Sequence, residues 1–184
     1  MLMQIGQKLE SDFSEPIGML EDCHKRILFF LRSLATIAEA ADEGRLSVEH
    51  RDSLEKALKY FREAAPKHTA DEEESLFPQL RLIDNLQVRT VFAKLDGLEA
   101  DHRWADAQHR EIDTIGRLWL SNGVCADENR HRFKTLLEYL LKFYERHIAL
   151  EESEIFSIAR SLLPESTRRQ LGREMAQRRG ITEQ

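Results

Sequence analysis

The chain has little of what several protein classes require. Its 184 residues include two cysteines, Cys23 and Cys125, which are too few for a disulfide framework and form no Cys-x-x-Cys pair. Eight glycines and four prolines exclude a collagen-like or low-complexity chain. The sparse use of cysteine is typical of a reducing compartment, and we therefore predict a cytoplasmic protein.

Long apolar runs and an excess of basic residues are also missing. No apolar run approaches the roughly 20 residues that cross a bilayer. The N-terminal sequence MLMQIGQKLESDF lacks the basic-then-apolar order of a signal peptide. The net charge of −6 disfavours binding to nucleic-acid phosphates. We therefore expect neither a membrane segment nor a nucleic-acid partner.

The residues that are present favour one helical domain. Hydrophobic residues make up 41% of the chain and charged residues 33%, and the length suits a single domain with a real core. Helical periodicity covers four long segments, approximately 14–44, 47–78, 86–120 and 127–161, and a short basic segment follows at 164–180. We predict one all-α domain over 1–184, an up-down-up-down antiparallel four-helix bundle (about 14–161) with a short C-terminal helix.

One pattern occurs twice along the chain. Each half contains a histidine in a Leu-Glu-x-x-His motif and, further on, a His-x-x-x-Glu motif; the separations between the two histidines are 44 and 45 residues. Positions i and i+4 share one helical face, and two helical hairpins about an approximate twofold axis would place both copies around one point. The repeated residues are His24, His68 and Glu72 in the first half, and His102, His147 and Glu151 in the second.

The six residues have the chemistry of a metal site. Four imidazoles and two carboxylates suit iron, manganese or zinc better than calcium or magnesium, and the absence of a thiolate argues against a cysteine-rich structural zinc site. Glutamate can bridge two metals, so the set fits a two-metal centre with open coordination positions. Without metal, two glutamates that face each other in a core are expected to retain a proton.

The segments around these residues resemble the hemerythrin-like family, also called the HHE cation-binding domain. The likeness rests on His24 and the segments HTADEEESLFP, LEADH and RHIALEESEIF, and spans about 14–161. It implies a non-haem, oxo- or hydroxo-bridged di-iron centre. By the same resemblance the histidine ligands are His24, His68, His102 and His147, and the bridging carboxylates are Glu72 and Glu151.

The resemblance is incomplete at one position. Oxygen-carrying hemerythrins place a further histidine where this chain has Asp106, four residues after His102. The difference argues against reversible oxygen carriage and shifts the likeness toward bacterial relatives with four histidines and two glutamates. Some of those relatives are linked to the nitric-oxide response and to repair of iron–sulfur clusters.

Other residues are candidates for the pocket or for contact with the ligands. Glu-x-x-His ligates metal directly in ferritin-like bundles, but we favour a supporting or surface role for the two glutamates in such motifs, because metal-bound histidines need an acceptor for the other ring N–H. Glu73 and Glu152 turn about 100° away from the bridging glutamates on an α-helix, and we expect them to be solvated. The candidates are Asp106, His109, Glu21, Glu99, Tyr60 and Tyr139.

The pocket candidates differ between the two halves. Asp106 and His109 follow His102 on one helical face, whereas Leu28 and Leu31 occupy the equivalent positions of the first half. Either polar residue is a candidate for contact with the metal, its bound water or a ligand. Tyr60 and Tyr139 both lie eight residues before a ligand histidine; they can line the pocket, although partial burial in the bundle is the simpler interpretation.

These observations favour a binding protein over an enzyme. We predict a di-iron protein, with manganese or zinc as alternative metals, that binds oxygen, nitric oxide or peroxide for sensing, storage or detoxification. Two alternatives stay open: a di-iron peroxidase or oxidase, and iron storage or donation linked to iron–sulfur cluster repair. No catalytic residue, protein partner or oligomeric state follows from the sequence.

Overall fold

The computed structural model describes residues 11–181, and within that range the chain is helical and without strands. The all-α prediction is confirmed. Residues 1–10, which carry most of the N-terminal sequence considered above, lie outside the described part. The α-helices are α1 (Pro16–Ala40), α2 (Val48–Glu63), α3 (Ala65–Ala70), α4 (Phe77–Arg81), α5 (Leu86–Arg89), α6 (Phe92–Asn122), α7 (Asp127–Leu150), α8 (Phe156–Leu162) and α9 (Glu165–Arg178).

Two wider turns interrupt this helical path. The first π segment, Asp71–Leu76, lies between α3 and α4, and the second, Glu151–Ile155, lies between α7 and α8. Both close with an i→i+5 hydrogen bond, from the Phe77 N–H to the Glu72 carbonyl and from the Phe156 N–H to the Glu151 carbonyl. Such π segments occur frequently at functional sites. Each of them contains one of the glutamates of the repeated motif.

The four long helices contact one another in a ring. α1 packs against α2 and α7, and α6 also packs against α2 and α7. The buried apolar residues form two separate clusters, one that includes Ile27, Ala105 and Ile148 and one that includes Leu20 and Ile155. Full burial of such an aliphatic side chain contributes about 2 kcal/mol. The repeated histidines and glutamates lie along the helices between the two clusters, so the candidate site is a polar layer inside an apolar core.

The second predicted helix begins as expected but extends further. Ser47 Oγ accepts a hydrogen bond from the His50 N–H at 3.1 Å, the N-cap that the sequence predicts. The path breaks between α2 and α3, where Pro66 occupies the first turn of α3. The predicted end at Pro78 is wrong. Pro78 lies in the first turn of α4, which continues directly from the π segment and ends at Arg81.

The third predicted helix is two helices. Asn85 caps α5 by accepting a hydrogen bond from the Gln87 N–H at 2.7 Å, and the break before α6 follows Thr90, whose hydroxyl donates to the Gln87 carbonyl at 2.6 Å. Side-chain hydrogen bonds of this kind compete with helix continuation. The predicted end at Gly123 is confirmed, since Gly123 has a φ of 72°, the left-handed conformation that glycine adopts without strain.

The C-terminal basic helix covers the first π segment. Asp71 is 1% exposed, and its carboxylate accepts hydrogen bonds from Arg178 at 2.9 Å and from Arg179 at 2.6 Å. Arg178 also donates to Ser75 Oγ at 2.7 Å. The basic residues of α9 thus provide the charges that compensate a buried carboxylate adjacent to Glu72. None of the described helices is both long and apolar enough to cross a bilayer.

Candidate metal centre

The structure brings the six repeated residues together in the polar layer. They come from α1, α3, α6, α7 and the two π segments, and none of the six is more than 8% exposed. The residues are His24, His68, Glu72, His102, His147 and Glu151.

Glu72 directs its two oxygens at different halves of the chain. Its Oε1 lies 3.5 Å from His68 Nε2 and 3.8 Å from His24 Nε2. Its Oε2 lies 3.3 Å from His102 Nε2. This carboxylate therefore faces the histidines of its own half with one oxygen and a histidine of the other half with the second oxygen, which is the orientation of a bridging ligand.

Glu151 repeats this arrangement in the opposite sense. Its Oε1 lies 3.2 Å from His147 Nε2 and 3.8 Å from His102 Nε2, and its Oε2 lies 3.1 Å from His24 Nε2. The donor atoms form two groups that share Glu151, each with all atoms within 4.8 Å of one another. The groups are His24, His68, Glu72 and Glu151, and His102, His147 and Glu151.

The buried donor atoms fit a cation. Among the described residues, all four oxygens of Glu72 and Glu151, together with His24 Nε2, are buried without a hydrogen-bond partner. Buried polar atoms in folded proteins are nearly always hydrogen-bonded or bound to metal, since an uncompensated buried charge is very costly. Imidazole nitrogens and carboxylate oxygens that converge without thiolates match the ligands of iron, manganese or zinc.

The charges of the metal-free site differ from the sequence prediction. Burial favours a raised pKa for Glu72 and Glu151, but the neighbouring histidines outweigh it and hold the pKa of both carboxyls below the ordinary value. Burial also disfavours the charged form of His102, yet the nearby carboxylates of Glu72 and Glu73 outweigh it and raise the pKa of His102 to about 10. The lowered pKa values of both carboxyls, beside histidines whose pKa values are raised, oppose the prediction that the glutamates retain a proton.

The same shifts predict how pH affects the metal-free protein. The stability due to protonated His102 is fully present below its unfolded pKa of about 6.5 and is lost as the pH rises through about 10. We therefore expect the free energy of unfolding, measured by urea denaturation without metal, to fall by up to about 5 kcal/mol across this range. The slope should be smaller in His102→Gln. Equal slopes in the two proteins would refute this assignment of the proton.

The outer nitrogens of two histidines bind glutamates from the opposite half. His24 Nδ1 lies 2.9 Å from Glu152 Oε1, and His102 Nδ1 lies 2.8 Å from Glu73 Oε1. The expectation that Glu73 and Glu152 are solvated is confirmed only in part, because their side chains are 30% and 40% exposed but also contact these histidines. It assumed α-helical rotation, whereas both residues lie in π segments, where each residue turns through a smaller angle than in an α-helix. These carboxylates fix the rings so that both Nε2 atoms face the site.

Removal of these acceptors should weaken metal binding. We expect Glu73→Gln and Glu152→Gln each to lower metal affinity by roughly 10- to 100-fold, because the carboxylate orients the ring and raises its basicity. Competition with a chromophoric chelator measures the change. Glu74→Gln is the matched control, since Glu74 is an exposed neighbour in the same π segment that interacts with Arg178 at 3.4 Å. Equal affinities for Glu73→Gln and the control would exclude this role.

The other two histidines differ from each other. His147 Nδ1 lies 3.3 Å from Asp101 Oδ2, whereas His68 Nδ1 is buried without a hydrogen-bond partner among the described residues. Cys23 occupies the position of the first half that corresponds to Asp101. Burial lowers the pKa of His68 to about 4, so this ring stays neutral at pH 7. This asymmetry is visible in the sequence, because Cys23 precedes His24 whereas Asp101 precedes His102.

Most of the secondary candidates lie away from the centre. Glu21 pairs with Arg160 at 2.8 Å, and Glu99 pairs with Arg81 at 2.8 Å. Both glutamates therefore form ion pairs with arginines and do not support the candidate ligand histidines. Tyr139 is 58% exposed, which contradicts a place in the pocket.

Two further candidates are near the pocket without facing the metal ligands. The Tyr60 hydroxyl donates to the Cys23 carbonyl at 3.4 Å. Asp106 lies at the lining of a cavity, but its exposed carboxylate pairs with Arg110 at 2.6 Å. The Asp106 carboxylate therefore pairs with Arg110 and does not face the candidate metal ligands.

The cavity next to the candidate site has a volume of about 230 Å³, and His68, His102 and His147 line it. His109 and Tyr144 also line it, and His109 Nε2 lies 3.0 Å from the Tyr144 hydroxyl. Burial lowers the pKa of His109 to about 4, so its imidazole is neutral. Tyr144 was not predicted from the sequence, although its position three residues before His147 places both on one helical face.

Comparison with known proteins identifies a family. The family model of the hemerythrin HHE cation binding domain matches residues 15–159. A protein of Haemophilus influenzae that bears the name "Uncharacterized protein" is 29% identical over 171 residues, which are 93% of this chain and 94% of that relative. The matched range contains all six residues of the candidate centre.

Proposed function

The chain belongs to the hemerythrin HHE cation-binding family, and from this premise we propose that it is a non-haem di-iron protein. In this proposal a carboxylate-bridged centre binds a small ligand, namely oxygen, nitric oxide or peroxide. The observation that carries the proposal is the orientation of Glu72 and Glu151. In each carboxylate one oxygen faces a histidine of the first half and the other oxygen faces a histidine of the second half.

The ligand roles follow from these contacts. His24 and His68 would hold one metal ion, His102 and His147 would hold the other, and Glu72 and Glu151 would be shared between them. Iron in these positions would supply open coordination positions and a change of oxidation state. The protein residues orient the imidazoles and limit access of water to the site. Each half provides three ligands. Two carboxylates and a hydroxide would offset most of the charge of two divalent ions.

We also propose the up-down-up-down antiparallel arrangement for α1, the α2–α4 segment, α6 and the α7–α8 segment. The ring of contacts among the long helices supports it, as does the packing of histidines from both halves around one site. Two cysteines that form no disulfide support a reducing compartment, and on that basis we propose a cytoplasmic location.

A ligand titration tests the proposed function. Protein that is loaded with Fe²⁺ in the absence of air is titrated with oxygen, nitric oxide or hydrogen peroxide while its absorption spectrum is recorded. We expect spectral changes that saturate near one ligand per chain, with Glu145→Gln, an exposed position on α7, unchanged from wild type. Spectra that stay constant with every ligand would exclude the proposed function.

A further inference from the structure

One polar pair distinguishes the two halves of the molecule. Tyr144 and His109 line the cavity together with the candidate ligands His102 and His147. In the sequence repeat, Ala65 occupies the position equivalent to Tyr144, and Leu31 occupies the position equivalent to His109. The pair therefore belongs to the His102 and His147 side, and the approximate twofold symmetry of the ligands does not extend to the cavity wall.

The surroundings hold this pair in place. The His109 ring stacks on Phe61 with 4.3 Å between ring centroids and 17° between planes. Tyr144 is 7% exposed, and its ring lies against His147 at 6.1 Å between centroids. Within the described residues His109 Nδ1 is buried and has no hydrogen-bond partner. Such an atom costs stability unless water or a ligand reaches it.

The Tyr144 hydroxyl has a hydrogen-bonding capacity that His109 does not exhaust. A phenol can accept one hydrogen bond and donate another. When neutral His109 carries its proton on Nε2, that N–H donates to the Tyr144 oxygen, and the phenol proton is free to point into the cavity. A phenol has an ordinary pKa of about 10, so Tyr144 keeps this proton at neutral pH.

The size of the cavity favours a particular class of ligand. Its volume of about 230 Å³ is several times the roughly 30 Å³ that one water molecule occupies in the liquid. It has room for a ligand whose outer atom lies away from the metal ligands, such as a peroxide or an azide ion. Its lining combines apolar side chains such as Ile27, Phe61 and Ala105 with polar ones such as Thr69 and Arg103, and the Tyr144 hydroxyl is a neutral hydrogen-bond donor among them.

We propose that Tyr144, oriented by His109, donates a hydrogen bond to the outer atom of a peroxide-class ligand in this cavity. This inference rests on the proposed function. Tyr144 is the residue that touches the ligand, and His109 is a positioning residue that acts through it. The pair thereby selects ligands with an outer hydrogen-bond acceptor over nitric oxide, which is a weak acceptor.

Azide binding to the iron-loaded, oxidised protein tests the proposal, because azide presents a charged nitrogen as the outer acceptor. We expect Tyr144→Phe to raise the azide Kd about tenfold or more, since a hydrogen bond to a charged group is lost, and to change nitric-oxide binding to the reduced protein less than twofold. Tyr60→Phe is the matched control, because Tyr60 lies outside the cavity lining and donates to a backbone carbonyl; its azide Kd should equal that of wild type.

Two further measurements separate a hydrogen bond from a packing effect. The azide stretching band should shift in D₂O in wild type and not in Tyr144→Phe. His109→Phe, which keeps the stack on Phe61, should raise the azide Kd severalfold alone and should add nothing in the double variant with Tyr144→Phe. Iron content of two per chain and an unchanged circular dichroism spectrum show that each variant retains the centre.

The outcomes distinguish the inference from the proposed function. If wild type binds neither azide nor nitric oxide, the proposed function fails. If wild type binds azide and Tyr144→Phe binds it equally well, or if the band shifts in D₂O in both proteins, only the inference is overturned. A His109→Phe effect that adds fully to that of Tyr144→Phe would overturn the positioning role of His109.

Discussion

Glutamine in place of Glu151 should reduce bound iron from two ions per chain to one or none. The Glu151 oxygens lie 3.2 Å from His147 Nε2 and 3.1 Å from His24 Nε2, and the residue belongs to both groups of converging donors. An amide has the same shape but no negative charge, so the site would hold two dications with one carboxylate. We expect affinity for the second ion to fall by more than about 100-fold.

Metal analysis after dialysis against a weak chelator measures this effect. Glu72→Gln should behave in the same way, because Glu72 has the equivalent position in the first half. Glu145→Gln changes an exposed residue of α7 and should retain two ions. Circular dichroism of the metal-free variants establishes that they fold. Two tightly bound ions in Glu151→Gln would mean that the carboxylate does not bridge.

Loss of both arginines at the end of α9 should strongly destabilise the protein. Asp71 is buried, and its carboxylate accepts hydrogen bonds from Arg178 at 2.9 Å and Arg179 at 2.6 Å. Alanine at both arginine positions leaves a buried carboxylate without a compensating charge, which costs about 3–5 kcal/mol. We expect the free energy of unfolding, measured by urea denaturation of the metal-free protein, to fall by that amount.

A matched pair of arginines on the same helix is the control. Arg169 is 66% exposed at its side chain and pairs with Glu165 at 3.5 Å, and Arg173 is also exposed. Alanine at both of these positions should cost less than about 1 kcal/mol, because exposed ion pairs contribute little. Addition of Asp71→Asn to the Arg178→Ala and Arg179→Ala variant should recover part of the loss, since it removes the unpaired charge. Equal losses in the two arginine pairs would rule out a stabilising role for the buried pair.

The sequence is sufficient to predict which six residues converge in the polar layer. The doubled spacing of His24 and His68 with His102 and His147 identifies them, because a symmetric metal site needs like residues at like positions. Helical periodicity and caps such as Ser47 also predict where the long helices lie. These features depend on residue type and spacing alone, and both are visible in one sequence.

The surroundings of the centre depend on backbone detail that spacing does not reveal. The segments DEEESL and EESEI carry no composition that distinguishes a π turn from an α-helix, so the contacts of Glu73 and Glu152 with ligand histidines were not predictable. Tyr144 was missed for a different reason. The repeat pairs Tyr60 with Tyr139. The cavity, however, is lined by Tyr144, whose counterpart in the first half is not a tyrosine.

The stoichiometry of iron binding tests the central claim most directly. Metal-free protein is titrated with Fe²⁺ under argon, and bound iron is counted per chain. The shared carboxylates predict saturation at two ions in wild type and at one ion or none in Glu151→Gln when that variant is titrated beside it. Saturation at one ion per chain, or two ions bound independently of Glu151, would contradict a carboxylate-bridged two-metal centre.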